Sequence, residues 1–304
     1  MSRSAVEDLA LVVVPGAIWG ASFLFIAEGL DAMAPFGVTF VRLLIGFLTL
    51  AGVPAARRPL QRGDFWPMAA LSVIWLAFPL SLFPFAEQRV SSAMAGMLNG
   101  STAIFAAIVA GLLSRQWPER PVLTGLVVGV AGIVLMAIPS IDGQSSAAGI
   151  AMILAAVLSY GVAINLARPL QLRSGALPVV WRTLGLAALL TAPMGVPALL
   201  AAHWTPRALL AMLALGALGT AIANVIMTVA TGRLGATRAS ATVFLIPVVA
   251  LILGVAVRGE RVEPLSIAGA AVCLAGAWLI RPRPPAAVAA VRAAAPRRLE
   301  PAGR

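Results

Sequence analysis

Residues 89–136, RVSSAMAGMLNGSTAIFAAIVAGLLSRQWPERPVLTGLVVGVAGIVLM, lie without a gap over residues 233–280, RLGATRASATVFLIPVVALILGVAVRGERVEPLSIAGAAVCLAGAWLI, once the sequence is shifted by 144 positions. Ten of the 48 aligned positions are identical: Arg89/Arg233, Ala95/Ala239, Ala106/Ala250, Ile108/Ile252, Glu119/Glu263, Gly125/Gly269, Val128/Val272, Ala131/Ala275, Gly132/Gly276 and Leu135/Leu279. Alanine and glycine matches arise easily between apolar segments, but the two charged pairs do not. Each stretch reads as two apolar runs joined by a short polar loop, without the sustained period-two alternation of barrel strands, which indicates helices. Earlier in the chain Trp19-Gly20 is answered by Tyr160-Gly161, and Arg42 by Arg182. The chain therefore reads as two copies of one unit.

The same pattern extends outward from these stretches. A helix needs about 20 apolar residues to cross a hydrocarbon core of about 30 Å. Charge-free runs occupy Leu9–Ala27, Phe65–Ala86, Val90–Ser114, Pro121–Ile141, Gly143–Ala167, Ala208–Gly232, Ala239–Val257 and Pro264–Ile280. Ala32–Ala56 and Ser174–Pro206 are each interrupted by a single arginine, Arg42 and Arg182. The expected fold is an all-α integral membrane protein of ten transmembrane helices, arranged as two five-helix repeats over 1–141 and 142–283. Five is odd, so the second repeat enters the membrane inverted, the plan of secondary transporters with a midplane site between the halves.

Composition excludes the alternatives. Of 304 residues 61% are hydrophobic and 11% charged, with a mean hydropathy of +0.98. Soluble domains carry about 25% charged residues, so a water-soluble globule is ruled out. All 22 basic residues are arginine, against 11 acids, for a formal charge of +11. A nucleic-acid partner would require those arginines on one soluble face, and they lie instead between apolar runs. With the N-terminus inside, 16 arginines fall in cytoplasmic segments, four in outer loops and two within spans. Both termini are therefore expected in the cytoplasm, at the inner membrane. Glu7 and Asp8 in the leader argue against a cleaved signal peptide. The Pro/Ala/Arg-rich tail, 284–304, is expected to be disordered and solvated. A single cysteine, Cys273, excludes an intramolecular disulfide, and a single histidine, His203, offers no metal site.

The segments Ala17-Ile18-Trp19-Gly20-Ala21-Ser22-Phe23 and Phe40-Val41-Arg42 open the first copy. Leu234-Gly235-Ala236-Thr237-Arg238-Ala239-Ser240, Pro247, Gly259-Glu260-Arg261 and the 269–276 glycines close the second. Together they resemble EamA-type members of the drug/metabolite transporter superfamily over about residues 10–281. The resemblance implies a ten-helix carrier, without cofactor, that exports or imports small metabolites, often amino acids or related compounds. The first copy departs from the family's Gly-Glu-Arg, reading Arg115-Gln116-Trp117.

Polar residues inside spans are expensive and mark functional candidates. Trp19, Ser22, Asn99, Tyr160, Asn165 and Asn224 are expected to face a central cavity and hydrogen-bond a small polar or zwitterionic substrate. The competing role for the amides is to bridge helices, and for the aromatics to pack. Arg42 and Arg182 lie about 10 Å and 7 Å into their spans by helical rise. They suit either a substrate carboxylate or, as their shallow depth favours, headgroups and helix ends. Pro79, Pro84 and Pro247 each remove a helix hydrogen bond and are hinge candidates. Gly216 and Gly219 loosen the eighth span, while Gly125, Gly129, Gly132, Gly269 and Gly276 suit close helix contact, including a homodimer face. No acidic residue appears deep in a span, since Glu28 and Glu87 sit at outer ends, which favours facilitated diffusion or exchange over a proton relay. A lipid-linked substrate flippase, which would need a lateral opening, and a membrane-embedded enzyme are the rival readings. The enzyme lacks any nucleophile, base or metal constellation.

Overall fold

The structure, a computed structural model, describes residues 3–115, 120–138, 146–234 and 239–280. The tail 284–304 and the Gln116-Trp117 loop lie outside the described residues. Helices dominate: α1 (Arg3–Leu30), α2 (Pro35–Ala51), α3 (Phe65–Glu87), α4 (Ser92–Leu113), α5 (Arg120–Ala137), α6 (Ala147–Ser174), α7 (Ala176–Leu200), α8 (Pro206–Leu234), α9 (Leu245–Arg258) and α10 (Pro264–Ile280). Among the described residues seven helices are long and apolar enough to cross a membrane, and three shorter apolar helices accompany them. Leu112, Val127, Leu172, Leu189 and Leu200 all point outward from the bundle. So much outward apolar surface matches lipid rather than water. The chain is an all-α, multi-pass protein of the inner membrane, outer membranes being crossed by barrels.

Local chemistry sets the helix starts. Pro35 follows an extended Ala34 and pre-sets the first turn of α2. Ser91, Ser146 and Thr205 cap α4, α6 and α8 by accepting from the backbone N–H of Met94, Ala148 and Ala208.

Among the described residues α3, α4 and α8 are interrupted and α9 is preceded by a 3₁₀ turn, and these irregularities recur at the 144-residue spacing. The wide π segment Ser72–Ala77 in α3 precedes Pro79 and has its counterpart in Ala214–Ile222 of α8, where Gly216 and Gly219 lie. In each a carbonyl is taken by a side chain of a neighbouring helix. Ser159 of α6 donates to Ile74 O in α3, and the Trp19 indole of α1 donates to Gly219 O in α8. In α4 the helix stops at Asn99 and resumes at Thr102. Ahead of α9 a 3₁₀ turn, Ser240–Phe244, gives way to α-helix at Leu245. Pro247 packs at the α4 break, where a Cβ added to Gly100 would sit 2.7 Å from its ring. Pro84 lies inside the second half of α3.

Helix pairings follow the same exchange. The principal contacts are α5 with α10, α2 with α7, α4 with α9, α1 with α9, α4 with α6, α1 with α8, α3 with α6, α2 with α8 and α3 with α7. Adding or subtracting five from each helix number returns the same set.

The α5–α10 pair is the closest. A Cβ on Gly132 would lie 2.3 Å from Cys273 N, on Gly269 2.6 Å from Met136 N, and on Gly276 2.4 Å from Gly129 N. The glycine spacing thus serves a close contact between two helices of one chain.

Candidate functional site

The polar residues predicted from α1, α2 and α8 converge on the wide turn of α8. A π segment leaves its carbonyls less tightly enclosed than an α-helix, and such turns recur at functional sites. Trp19 binds Gly219 O at 3.0 Å, and Ser22, whose hydroxyl donates to Ile18 O, lies where a Gly219 side chain would be. Thr220 donates to Leu215 O at 2.9 Å and accepts from Arg42 Nε at 3.3 Å. Asn224 Nδ2 donates to Thr220 O at 2.9 Å. Gly219 and Thr220 thus gather Trp19, Ser22, Arg42 and Asn224 in one place.

Arg42 is 6% exposed, so the headgroup-seeking role favoured by its shallow depth does not hold. Depth along a helix says nothing about rotation, and this face of α2 turns into the bundle. The guanidinium lies within electrostatic reach of Tyr160 and of Glu87. Tyr160 of α6 stacks on Phe83 with ring centroids 6.0 Å apart, and Phe83 meets Phe23 of α1 edge-on at 5.5 Å.

Glu87 is the main residue that sequence reasoning missed. Both its carboxylate oxygens are buried and have no hydrogen-bond partner among the described residues. Arg42 and Arg258 lie within its electrostatic reach, as does the like charge of Glu260, and no ion pair joins it to either arginine among the described residues. Glu87 stands at the end of its span, as expected, but its carboxylate is turned away from water, so the argument for facilitated diffusion from the lack of a buried carboxylate no longer applies. Glu87 is the last residue of α3, and the charged groups in its reach come from α2, from α9 and from the loop after α9. The signal available was a lone acid ending an apolar run that also holds Pro79 and Pro84.

Three other predicted residues take separate places. Asn165 bridges α6 to α4, donating to Ala106 O at 3.0 Å and to Gly161 O at 2.9 Å. Asn99 sits at the break of α4, its carbonyl accepting from Thr102 Oγ1. Arg182 donates through Nη1 to Ala56 O and Pro178 O, and stacks over Trp181 at 5.2 Å. It lines a cavity of about 920 Å³ opening between α2, the start of α3 and α7, away from the Gly219–Thr220 turn.

Charged residues gather at the two ends of the bundle. At the end where α1 finishes, buried Glu28 holds Arg207 of α8 (Nε–Oε2 2.5 Å) and Arg258 of α9 (2.8 Å), and Arg258 also reaches Asp31 at 2.9 Å. At the opposite end Asp64, before α3, pairs with Arg173 of α6 at 2.8 Å and accepts from Ser174 Oγ at 2.6 Å. The Ser174 hydroxyl first, and Arg173 second, hold the Asp64 carboxyl below its ordinary range. Glu7 and Asp8 pair with Arg233 at that same end.

Gly259-Glu260 has a structural use. Gly259, in the left-handed region at φ 65°, ends α9 and turns the chain so that Glu260 accepts from Ser92 N, Ser92 Oγ and Ala93 N at the start of α4. In the first copy Arg115 takes the same left-handed conformation at φ 52°.

A multi-pass helical bundle that gathers buried polar side chains from several helices around an interrupted turn has the architecture of a membrane transporter. The EamA-like transporter family profile matches twice, over residues 8–138 and 147–281, and the chain belongs to that family. It is 27% identical over 284 residues, covering 92% of this chain and 94% of the other, to a protein of Streptantibioticus cattleyicolor described as "Probable terminal-alkyne amino-acid exporter". It is 25% identical, covering 89% and 93%, to one of Salmonella typhimurium described as "Probable amino-acid metabolite efflux pump". A solved structure described only as "Crystal structure of protein" shares the fold, with a TM-score of 0.65 at 18% identity over 92% of this chain and 98% of that one.

Proposed function

We propose that this chain exports a small zwitterionic, amino-acid-like metabolite by alternating access, holding it between the Arg42 guanidinium and the Glu87 carboxylate. The observation that carries this reading is the buried Glu87 carboxylate without a partner among the described residues, in reach of an arginine it does not touch. An unpaired charge away from water is unstable. A substrate carboxylate at Arg42 and ammonium at Glu87 would neutralise both at once. Trp19, Tyr160 and Asn224 form the walls, with Ser22 packed behind Trp19. Asn165 and Arg182 hold helices, and Asn99 marks the broken helix α4. The exporter names of the two relatives support the direction of transport.

The ten helices form two inverted five-helix repeats, 1–141 and 142–283, with both termini and the tail 284–304 in the cytoplasm. The recurrent π turns, the exchange of helix pairings and the double family match support this division. Sixteen inner arginines against four outer ones support the orientation. In that orientation Glu28–Arg207–Arg258 is an outer latch and Asp64–Arg173 an inner one. Each joins the end of the first helix of one repeat (α1 or α6) to the start of the third helix of the other (α8 or α3), with the charge signs reversed. Opening one latch at a time gives alternating access. Pro79, Pro84 and Pro247 serve as hinges beside the interrupted turns.

Efflux of amino acids from loaded cells tests the reading. Wild-type overexpression is expected to lower the internal pool of at least one neutral amino acid. E87Q and R42Q are each expected to reduce that efflux at least tenfold at equal membrane abundance. Unchanged efflux in both variants refutes the site.

A further inference from the structure

We infer that the cavity between α2, α3 and α7 is a binding site for the acyl chain and headgroup of an anionic phospholipid. It is separate from the substrate site, and the inference does not depend on that reading. The cavity, about 920 Å³, is walled by Phe47, Trp181, Gly185 and Leu189 and is headed by Arg62 and Arg182. Gly185 makes room for the ring of Phe47, since a Cβ there would lie 2.8 Å from it, and Phe47 stacks on Trp181 at 5.4 Å. From Arg182 to Ala192, both on the lining, ten residues of helix rise about 15 Å. That is about half of a 30 Å hydrocarbon core, the depth of one leaflet.

The polar end selects the charge of the occupant. Among the described residues no acidic side chain lines the cavity. Arg62 is exposed and has no partner among the described residues, while Arg182 commits Nη1 to Ala56 O and Pro178 O and leaves Nε and Nη2 unbonded among them. The Trp181 indole N–H is buried without an acceptor among the described residues. Two cationic heads above an apolar wall that opens at the lipid-facing surface, where Leu189 is 69% exposed, match a phosphate headgroup with its tail in the groove. The bilayer supplies lipid to such a surface, and the arginines favour the anionic kind. An occupant there would brace α2 against α7, and α2 carries Arg42.

Native mass spectrometry of the full-length protein, equilibrated with phosphatidylglycerol and phosphatidylcholine of equal chain length, tests the inference. A basic residue near an anionic lipid surface is worth about fivefold. Wild type is therefore expected to retain phosphatidylglycerol about thirtyfold over phosphatidylcholine. R62Q, at an exposed position that does not threaten folding, is expected to lose about fivefold of that preference, and R62Q/R182Q nearly all of it. R57Q/R58Q, which changes neighbouring arginines outside the cavity, is expected to keep it. Glycerol phosphate is expected not to displace the lipid. Equal retention of the two lipids by wild type overturns the inference, as does equal loss in R57Q/R58Q. Displacement by glycerol phosphate overturns it in favour of a site for a free anion.

Discussion

A single methyl group decides whether α5 and α10 can meet. At Gly276 a Cβ would lie 2.4 Å from the backbone nitrogen of Gly129, and neither backbone has a soft end to yield. G276A is expected to lower stability by about 1–3 kcal/mol, read as a lower thermal midpoint in detergent. G232A, where a Cβ meets nothing within 4 Å, is expected to leave it unchanged or slightly higher. Glu260 is a second such case. Its carboxylate accepts three hydrogen bonds at the start of α4, and bonds to a charged group are worth about 1.5–3 kcal/mol each. E260A is thus expected to be markedly destabilising and E263A, at an exposed loop position, near neutral. The glycine contacts were legible because close packing leaves a spacing of small residues in the sequence. Glu87 was not, because the sequence gives a residue's depth in its helix and nothing of what faces it from α2 and α9. Asn165 shows the converse: its type suited either a substrate ligand or a bridge between helices, and its amide donates from α6 to Ala106 O of α4.

Among the elements, the proposed mechanism assigns the motion of the bundle to the interrupted helices and the end ion pairs. Gly216 and Gly219 signalled that α8 was loose, but only the structure shows the wide turn repeated in α3 and each turn occupied by a neighbouring side chain. The Asp64–Arg173 pair carries a pH signature. Asp64 has a folded-state pKa below its unfolded one, because Ser174 and Arg173 hold the charged form. Its contribution is therefore fully present above the unfolded value and is lost as pH falls through the lowered folded value. Thermal unfolding between pH 7 and pH 3 is expected to show a loss at the acid end that D64N lacks. At neutral pH, D64N is expected to raise the reactivity of a cysteine placed on the Asp64 side of the Gly219–Thr220 turn. E28Q is expected to do the same from the opposite side. Reactivity that rises from the same side in both variants contradicts the two-latch arrangement.

For the whole molecule, the mean hydropathy, the arginine distribution and the 144-residue repeat carried the bilayer environment and the helical class. They carried these well because partition into lipid depends on composition summed over long runs. The proposed site depends on single contacts between helices, so only part of it was legible: Trp19, Ser22, Arg42, Tyr160 and Asn224 were candidates from sequence, and Glu87 was not. The central claim is that Arg42 and Glu87 together hold a zwitterion. Competition against labelled neutral amino acid counterflow in proteoliposomes tests it most directly, using the amino acid, its decarboxylated amine and its deaminated acid as competitors. The account predicts that only the intact amino acid competes well in wild type, each half-ligand being at least tenfold weaker, and that E87Q no longer separates the amino acid from the deaminated acid. Equal competition by all three in wild type, or unchanged discrimination in E87Q, contradicts it.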